Sequence, residues 1–247
     1  MRVAVISDMH GNDLAFEVVE TAIQKQGVDQ IVCLGDAVQG GPQPAQVVQR
    51  LRKLNCPVVM GNADAWLVSG LETADEGIPA ERLKKMGEVR NWSLSQLTEE
   101  DVDFIARFQP TITINLGRGL DLLCFHGSPV SFDDVILPAA PEQEFQRVLG
   151  AYANHILTGG HTHAQQIRRI GELFFFNPGS VGFAYGHNQP DDDFHADPWA
   201  EYAILTVEKG QTGLEFRRVP FDVEELIRIY QESGRPFAEE AIAQYQR

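Results

Sequence analysis

Five apolar runs in this chain stop abruptly at small, acidic or imidazole residues, and that repeated boundary constrains the fold more than any other feature. The first run is Val3-Ala4-Val5-Ile6, followed by Ser7-Asp8-Met9-His10 and then Gly11-Asn12. Four consecutive apolar residues read as a buried strand. The turn after it opens a helix, with Asn12 as a good N-cap and Leu14, Ala15, Val18, Val19, Ala22 and Ile23 recurring at helical spacing. Asp8 and His10 therefore stand at the carboxyl end of a strand, where open α/β sheets hold their ligands. Two residues apart in a turn, an Asp oxygen and a His nitrogen can reach one cation from the same side. Taken alone, the pair is equally well a plain turn.

The same boundary recurs four times. Residues 30–34 form a second buried strand ending in Gly35-Asp36, and residues 56–60 a third ending in Gly61-Asn62-Ala63-Asp64. Residues 120–125 end in His126-Gly127, and residues 156–158 end in Gly159-Gly160-His161-Thr162-His163. A second helical stripe, Val47, Val48, Leu51 and Leu54, separates the second strand from the third. This alternation predicts βαβ units with right-handed crossovers. Residues 65–109 differ, with helical segments over 80–92 and 98–108 and few strand signals. Composition does not shift there and no linker flanks it, so it reads as a helical insertion within one domain spanning residues 1–247.

Further strands are expected at 111–115, in a hairpin of 166–170 and 172–176 about Gly171, and in a final pair at 202–207 and 213–219. Helices are expected from Pro141, from an Asp222 cap, and over 237–247. Residues 185–198 are a polar, acidic loop.

Composition narrows the partners. Against 35 Asp and Glu stand only 20 Lys and Arg, a net charge of -15. Such a chain is not built for a broad nucleic-acid surface or an anionic membrane, although a small anion held at contact distance by a metal remains compatible. Cys33, Cys56 and Cys124 lie in apolar runs and read as buried free thiols, which fits a reducing cytoplasm. The N-terminus enters a strand at once, so no signal peptide is expected, and no apolar run approaches the ~20 residues of a membrane helix. For assembly, the general preference for twofold homodimers sets the expectation.

Collected, the strand-end residues are Asp8, His10, Asp36, Asn62, His126, His161 and His163. His155 is left aside as a hydrogen-bonded loop residue. The set is mixed N/O without a thiolate, which suits Mn, Fe, Zn, Co or Ni. It exceeds the needs of one tetrahedral ion and suits two ions that share a ligand, for which the two oxygens of Asp36 are the natural bridge. Two divalent ions against two aspartates and a bridging hydroxide leave about +1, a site for an anion. Ions roughly 3.5–4 Å apart clamp the attacking and leaving oxygens of an in-line displacement and acidify bound water. Hydrolysis of a phosphate ester is the reaction class that needs this.

The order of these motifs resembles the calcineurin-like metallophosphoesterase superfamily: D-x-H, G-D, G-N-x-[DE], H-G and G-H-x-H. Here they stand as Asp8-Met9-His10, Gly35-Asp36, Gly61-Asn62-Ala63-Asp64, His126-Gly127 and Gly160-His161-Thr162-His163. The stretches Gly35-Asp36-Ala37-Val38-Gln39-Gly40-Gly41-Pro42 and Asn177-Pro178-Gly179-Ser180-Val181-Gly182 are similar to the small prokaryotic, phosphodiesterase-like branch. The resemblance implies a four-layer α/β/β/α sandwich with two facing mixed sheets. It implies one metal held by Asp8, His10, Asp36 and His163, and a second by Asp36, Asn62, His126 and His161, with Asn62 also touching the substrate phosphate. Manganese is the metal it favours for activity.

The chain departs from the pattern at Ala63, where many members carry a His that protonates the leaving group or binds phosphate. Losing such a donor costs about 10²–10⁴-fold in rate. Phosphodiesters, nucleotides and phosphoanhydrides are therefore expected ahead of protein-phosphatase substrates. Asp64 is expected to cap the next helix. After Val181-Gly182, where relatives are often basic, this chain has Phe183-Ala184-Tyr185-Gly186-His187 and then Asp191-Asp192-Asp193-Phe194-His195. The plainer reading there is a solvated acidic loop; the sharper one is that His187 or His195 folds over the site and replaces the missing donor. Two other classes stay open: a non-catalytic metal-binding scaffold on the same fold, and a nucleotide sensor that binds without turnover.

Overall fold

The computed structural model describes residues 1–70, 78–152, 156–190 and 193–246. Among these residues, nine strands form two mixed sheets. The first contains β1 (Arg2–Ile6), β2 (Gln30–Cys33), β8 (Trp199–Glu208) and β9 (Gln211–Pro220), in the order β2-β1-β8-β9. Strands β1 and β2 are parallel, whereas β8 runs antiparallel to both β1 and β9. The second sheet contains β3 (Ile112–Gly117), β4 (Leu120–Cys124), β5 (Ile156–Thr158), β6 (Gln166–Ile170) and β7 (Leu173–Asn177), in the order β3-β4-β5-β7-β6. Its centre, β4-β5-β7, is parallel, and its edges are antiparallel hairpins.

Alternation along each strand builds the layers. Val3 and Val5 of β1 face the second sheet, packing in one core with Ile114, Leu122, Cys124 and Phe176. Ala4 and Ile6 face the other way, onto α1 (Asp13–Gln24), α2 (Pro44–Leu54) and α7 (Val223–Ser233). On the far side, Leu123, Leu157 and Phe175 pack against Phe145 and Leu149 of α6 (Glu142–Leu149). The result is the α/β/β/α sandwich. The strands of the sheet centres are buried on both faces, which is why they read as continuous apolar runs.

Local signals account for the helix ends. Asn12 caps α1, its Oδ1 accepting from Ala15 N–H at 3.0 Å. Thr98 and Asp101 form a reciprocal capping box on α5 (Glu99–Ile105). Asp222 caps α7 through Glu225 N–H at 3.1 Å. The segment 65–109 carries most of α3 (Asn62–Ser69), then α4 (Ala80–Ser95) and α5. Residues 71–77, His155, Asp191 and Asp192 lie outside the described residues.

Three expectations need correction. Residues 56–60 are not a strand: Val58 bridges to Cys33 and Val59 to Gln109, each singly. Pro57 has no N–H to extend a ladder, and the chain turns into α3 only two residues past Met60. The C-terminal helix is short, α8 (Ala238–Ala243). Cys56 is half-buried, while Cys33 and Cys124 are buried free thiols.

Candidate metal centre

The loops after the strand ends of both sheets meet, locked by backbone hydrogen bonds. Asp8 N–H donates to Gly35 O, His10 N–H to Asp36 O, and Gly160 N–H to His126 O, each at 2.9 Å. Five residues at this junction, Asp8, His10, Asp36, His161 and His163, have φ between +46° and +67°. This left-handed region costs about 1–2 kcal/mol for an ordinary side chain, and Asp, Asn and His tolerate it best. The glycines of the motifs permit the close approach. A Cβ on Gly61 would overlap Asp36 Oδ1, and one on Gly160 would sit 2.8 Å from Asp8 Oδ2.

All seven predicted strand-end residues converge. Asp8, His10 and His163 form one group, and Asp36, His126 and His161 a second, with the ligand atoms of each group within 4.8 Å of one another. Asn62 joins the second, its Oδ1 lying 3.0 Å from His126 Nε2. Asp36 links them: its Oδ1 accepts from Ala63 N–H at 2.8 Å, and its Oδ2 lies 3.3 Å from His126 Nε2 and 3.8 Å from His10 Nε2.

The imidazoles are aimed from behind. His10 Nδ1 donates to Gln39 O (2.9 Å), His126 Nδ1 to Leu34 O (2.8 Å) and His163 Nδ1 to Phe183 O (2.7 Å). A carbonyl can only accept, so each Nδ1 carries a proton and each neutral ring turns a bare Nε2 inward. The Nε2 atoms of His10 and His163 face each other at 3.0 Å. Two lone pairs at that distance need a shared proton or a cation. Asp8 Oδ1 is fully buried with no hydrogen-bond donor, 3.3 Å from His163 Nε2. An orphaned carboxylate oxygen and opposed bare imidazoles fit divalent cations with N/O preference, and no cysteine belongs to either group.

Electrostatics agree. Burial pushes the Asp36 and Asp8 carboxyls up, but the facing His126 and His163 outweigh it, so both sit below the ordinary carboxylate range. Conversely, burial works against charge on His126, yet Asp36 pushes it up to about 10. His163 is also raised, by Asp8 against burial. Burial, with the neighbouring imidazoles, lowers His10 and His161. Without metal, a proton on His126 takes the place of a cation.

Sequence reasoning missed the supports. Asp64 does not cap a helix: it lies inside α3, fully buried, and accepts from Ala37 N–H (3.1 Å) and Val38 N–H (3.2 Å). It thereby fixes the loop that presents Asp36. Burial and the charge of Asp36 push its carboxyl up to about 7. Asn177 Nδ2 donates to Gly160 O and Ser180 Oγ to Asp8 O, bracing both ligand loops. The 177–182 motif was visible in the sequence, but its task was not.

Above these seven residues lies a cleft of about 760 Å³. His10, Asp36, Asn62, His161 and His163 line its floor, while Asp8 and His126 lie beneath, fully buried. Trp66, residues of α4, and Tyr230 to Gln244 at the C-terminal end form its walls. Neither His187 nor His195 is among the lining residues. His187 packs on Tyr185 at 4.8 Å, and Tyr185 packs on His163 at 5.5 Å. His195 Nδ1 lies 3.1 Å from Asp193 O, within its own loop. Among the described residues, no helix is long and apolar enough to cross a membrane.

The chain resembles known proteins along nearly its whole length. Protein MJ0912 of Methanocaldococcus jannaschii, itself uncharacterized, is 27% identical over 239 residues, covering 90% of this chain and 88% of its own. Phosphodiesterase YfcE of Escherichia coli is 27% identical over 198 residues, covering 76% and 83%. The crystal structure of a metallophosphoesterase from Sphaerobacter thermophilus superposes with a TM-score of 0.73 at 25% identity, covering 99% and 98%. Residues 1–210 match the calcineurin-like phosphoesterase superfamily domain. With its sheets, converging strand-end residues and this match in agreement, the chain belongs to the calcineurin-like phosphoesterase superfamily, a family of metal-dependent hydrolases of phosphate esters.

Proposed function

We propose that this protein is a two-metal phosphoesterase acting on small phosphorylated substrates, phosphodiesters or nucleotides rather than phosphoproteins. The observation that carries the reading is Asp36 Oδ2, which faces the imidazoles of both ligand groups from the middle. Asp8, His10, Asp36 and His163 would hold one ion; Asp36, Asn62, His126 and His161 the other. When bound, the ions supply Lewis-acid polarisation of phosphoryl oxygens and a hydrolytic water acidified towards neutrality. The protein's part is placement. Carbonyls of Gln39, Leu34 and Phe183 fix the imidazole tautomers, and a substrate phosphate entering the cleft would meet His10, Asn62 and His161 on its floor.

Preference for diesters and nucleotides is supported by Ala63, which supplies only its N–H to Asp36, and by the similarity to YfcE, named a phosphodiesterase. Manganese is the activating ion we favour, in a cytoplasmic homodimer. The test is hydrolysis of bis(4-nitrophenyl) phosphate across Mn, Fe, Zn, Co and Ni, with metal content measured per chain. Wild type should turn over with about two ions bound. Asp36→Asn should lose more than the roughly 10–100-fold that outer-shell changes cost. Metal or nucleotide binding without any product would favour the scaffold or sensor instead.

A further inference from the structure

The cleft walls carry Arg82, Lys85 and Arg235 beside Asp133 and Glu240, a slight excess of bases in a chain where acids outnumber bases 35 to 20. Lys85 is matched by Glu240 at 2.7 Å. Arg235 is different. Its Nε donates to Gly40 O (2.5 Å) and its Nη1 to Pro236 O (2.8 Å) and Phe237 O (3.2 Å). Among the described residues, no carboxylate comes within ion-pairing distance and Nη2 has no hydrogen-bond acceptor. The Tyr230 ring packs against the guanidinium at 5.7 Å and the Glu240 charge reaches it, but the Glu240 carboxylate is held by Lys85, and carbonyl dipoles occupy donors without cancelling the charge. A half-buried guanidinium with a free edge at a cleft is a ready partner for a phosphate.

Its location gives it a role. Gly40 adjoins Gln39, whose carbonyl orients His10, so Arg235 stands beside the metal ligands without belonging to them. Position 63 offers no side-chain acid. An alkoxide leaving group needs a proton as its bond breaks, whereas a phosphate departs as a stable anion and needs a nearby cation. A 760 Å³ cleft walled by Trp66, Met86, Phe183 and Phe237 exceeds the needs of phosphate alone and offers flat apolar surface. Phe237 has φ +57°, a conformation rare for a bulky side chain and one that clusters at ligand-binding sites.

We propose that Arg235 receives the leaving phosphate of a nucleoside polyphosphate, making phosphoanhydrides the preferred substrates; this rests on the phosphoesterase reading above. Water oxygen bonds to phosphorus as the bridging P–O bond breaks. The electron pair stays on the leaving phosphate, which departs unprotonated against Arg235. Of the two water protons, one remains on the product phosphate and one passes to bulk solvent.

The experiment compares ADP, AMP and bis(4-nitrophenyl) phosphate on wild type, Arg235→Gln and Arg235→Lys. Arg235→Gln should lower kcat/KM at least tenfold more on ADP than on the aryl diester, with Arg235→Lys recovering part. Calorimetry on metal-free protein should show ADP binding tighter than adenosine, a preference that Arg235→Gln erases. Equal losses on ADP and diester would reduce Arg235 to a clamp on the Gly40 loop and overturn the proposal. Wild type gives a check independent of folding in the variants: AMP, with an alkoxide leaving group, should be at least 100-fold slower than ADP, and equal rates would overturn it. Wild type cleaving the diester but not ADP sinks this inference alone. Cleaving none of the three with any metal removes the reading beneath it.

Discussion

The floor and the walls of the cleft are built on opposite principles. The floor is made of strand ends from two sheets, cross-tied by main-chain hydrogen bonds, with Asp8 and His126 fully buried. The walls come from α4 and the C-terminal segment, and a half-exposed ion pair, Lys85 with Glu240, ties them to each other. Exposed pairs of that kind are screened and add little stability. The difference separates chemistry from selection: the floor is rigid enough to fix ligand geometry, and the walls can vary around different substrates without disturbing it.

Outside the residues that would hold metal, perturbing the supports beneath the floor should have the largest effect. Asp64→Ala leaves the Ala37 and Val38 amides without their acceptor, and should lower metal affinity or diester turnover by about 10–100-fold. Asp64→Asn, which keeps one acceptor oxygen, should fall between Ala and wild type. Metal titrations with both variants check this; an Ala variant that binds metal like wild type would mean the Asp36 loop holds its shape unaided.

Next comes pH. His126 has its folded pKa raised from 6.5 to about 10, so its pairing with Asp36 stabilises the metal-free protein fully below pH 6.5. That contribution disappears as pH rises towards 10. The carboxyls of Asp8 and Asp36 are depressed, so their contribution is present above about pH 4 and is lost under acid conditions. Melting temperature in EDTA should therefore decline from pH 6.5 to 10. Stabilisation by added divalent metal should grow over the same range as protons cease to compete. A flat metal-free curve would contradict the imidazolium assignment.

The smallest effects belong to the rim. His187→Ala and His195→Ala should each alter aryl diester turnover by less than about twofold, since neither ring lines the cleft. A loss confined to esters with poor leaving groups would instead assign the proton donor to that loop.

The floor was legible because its ligands follow directly on buried strands, and strand burial is written in continuous apolar runs such as Val3 to Ile6. Topology then had few ways to arrange those ends. Asp64 was misread because α3 starts at Asn62 itself, which puts a residue of cap type within the helix and in reach of a different loop. The strand expected at 56–60 failed because an apolar run specifies burial and not pairing, and Pro57 interrupts the donors. Of the walls, the helical one was legible as an insertion with a helix at 80–92, whereas the C-terminal one left no readable trace. Nothing around Gly234-Arg235-Pro236-Phe237 indicates that Arg235 lies beside Gly40, 195 residues away in sequence.

The left-handed backbone at Asp8, His10, Asp36, His161 and His163 restricts how this centre can be re-engineered. Exchanging an imidazole for a thiolate, or lengthening an aspartate to glutamate, alters donor chemistry and also places a less tolerant side chain on a disfavoured main chain. Variants intended to change metal preference will therefore compare like with like only when asparagine, aspartate or histidine is swapped for another of the three. The conformation of five peptide units, as much as coordination chemistry, defines which ligand sets this scaffold accepts.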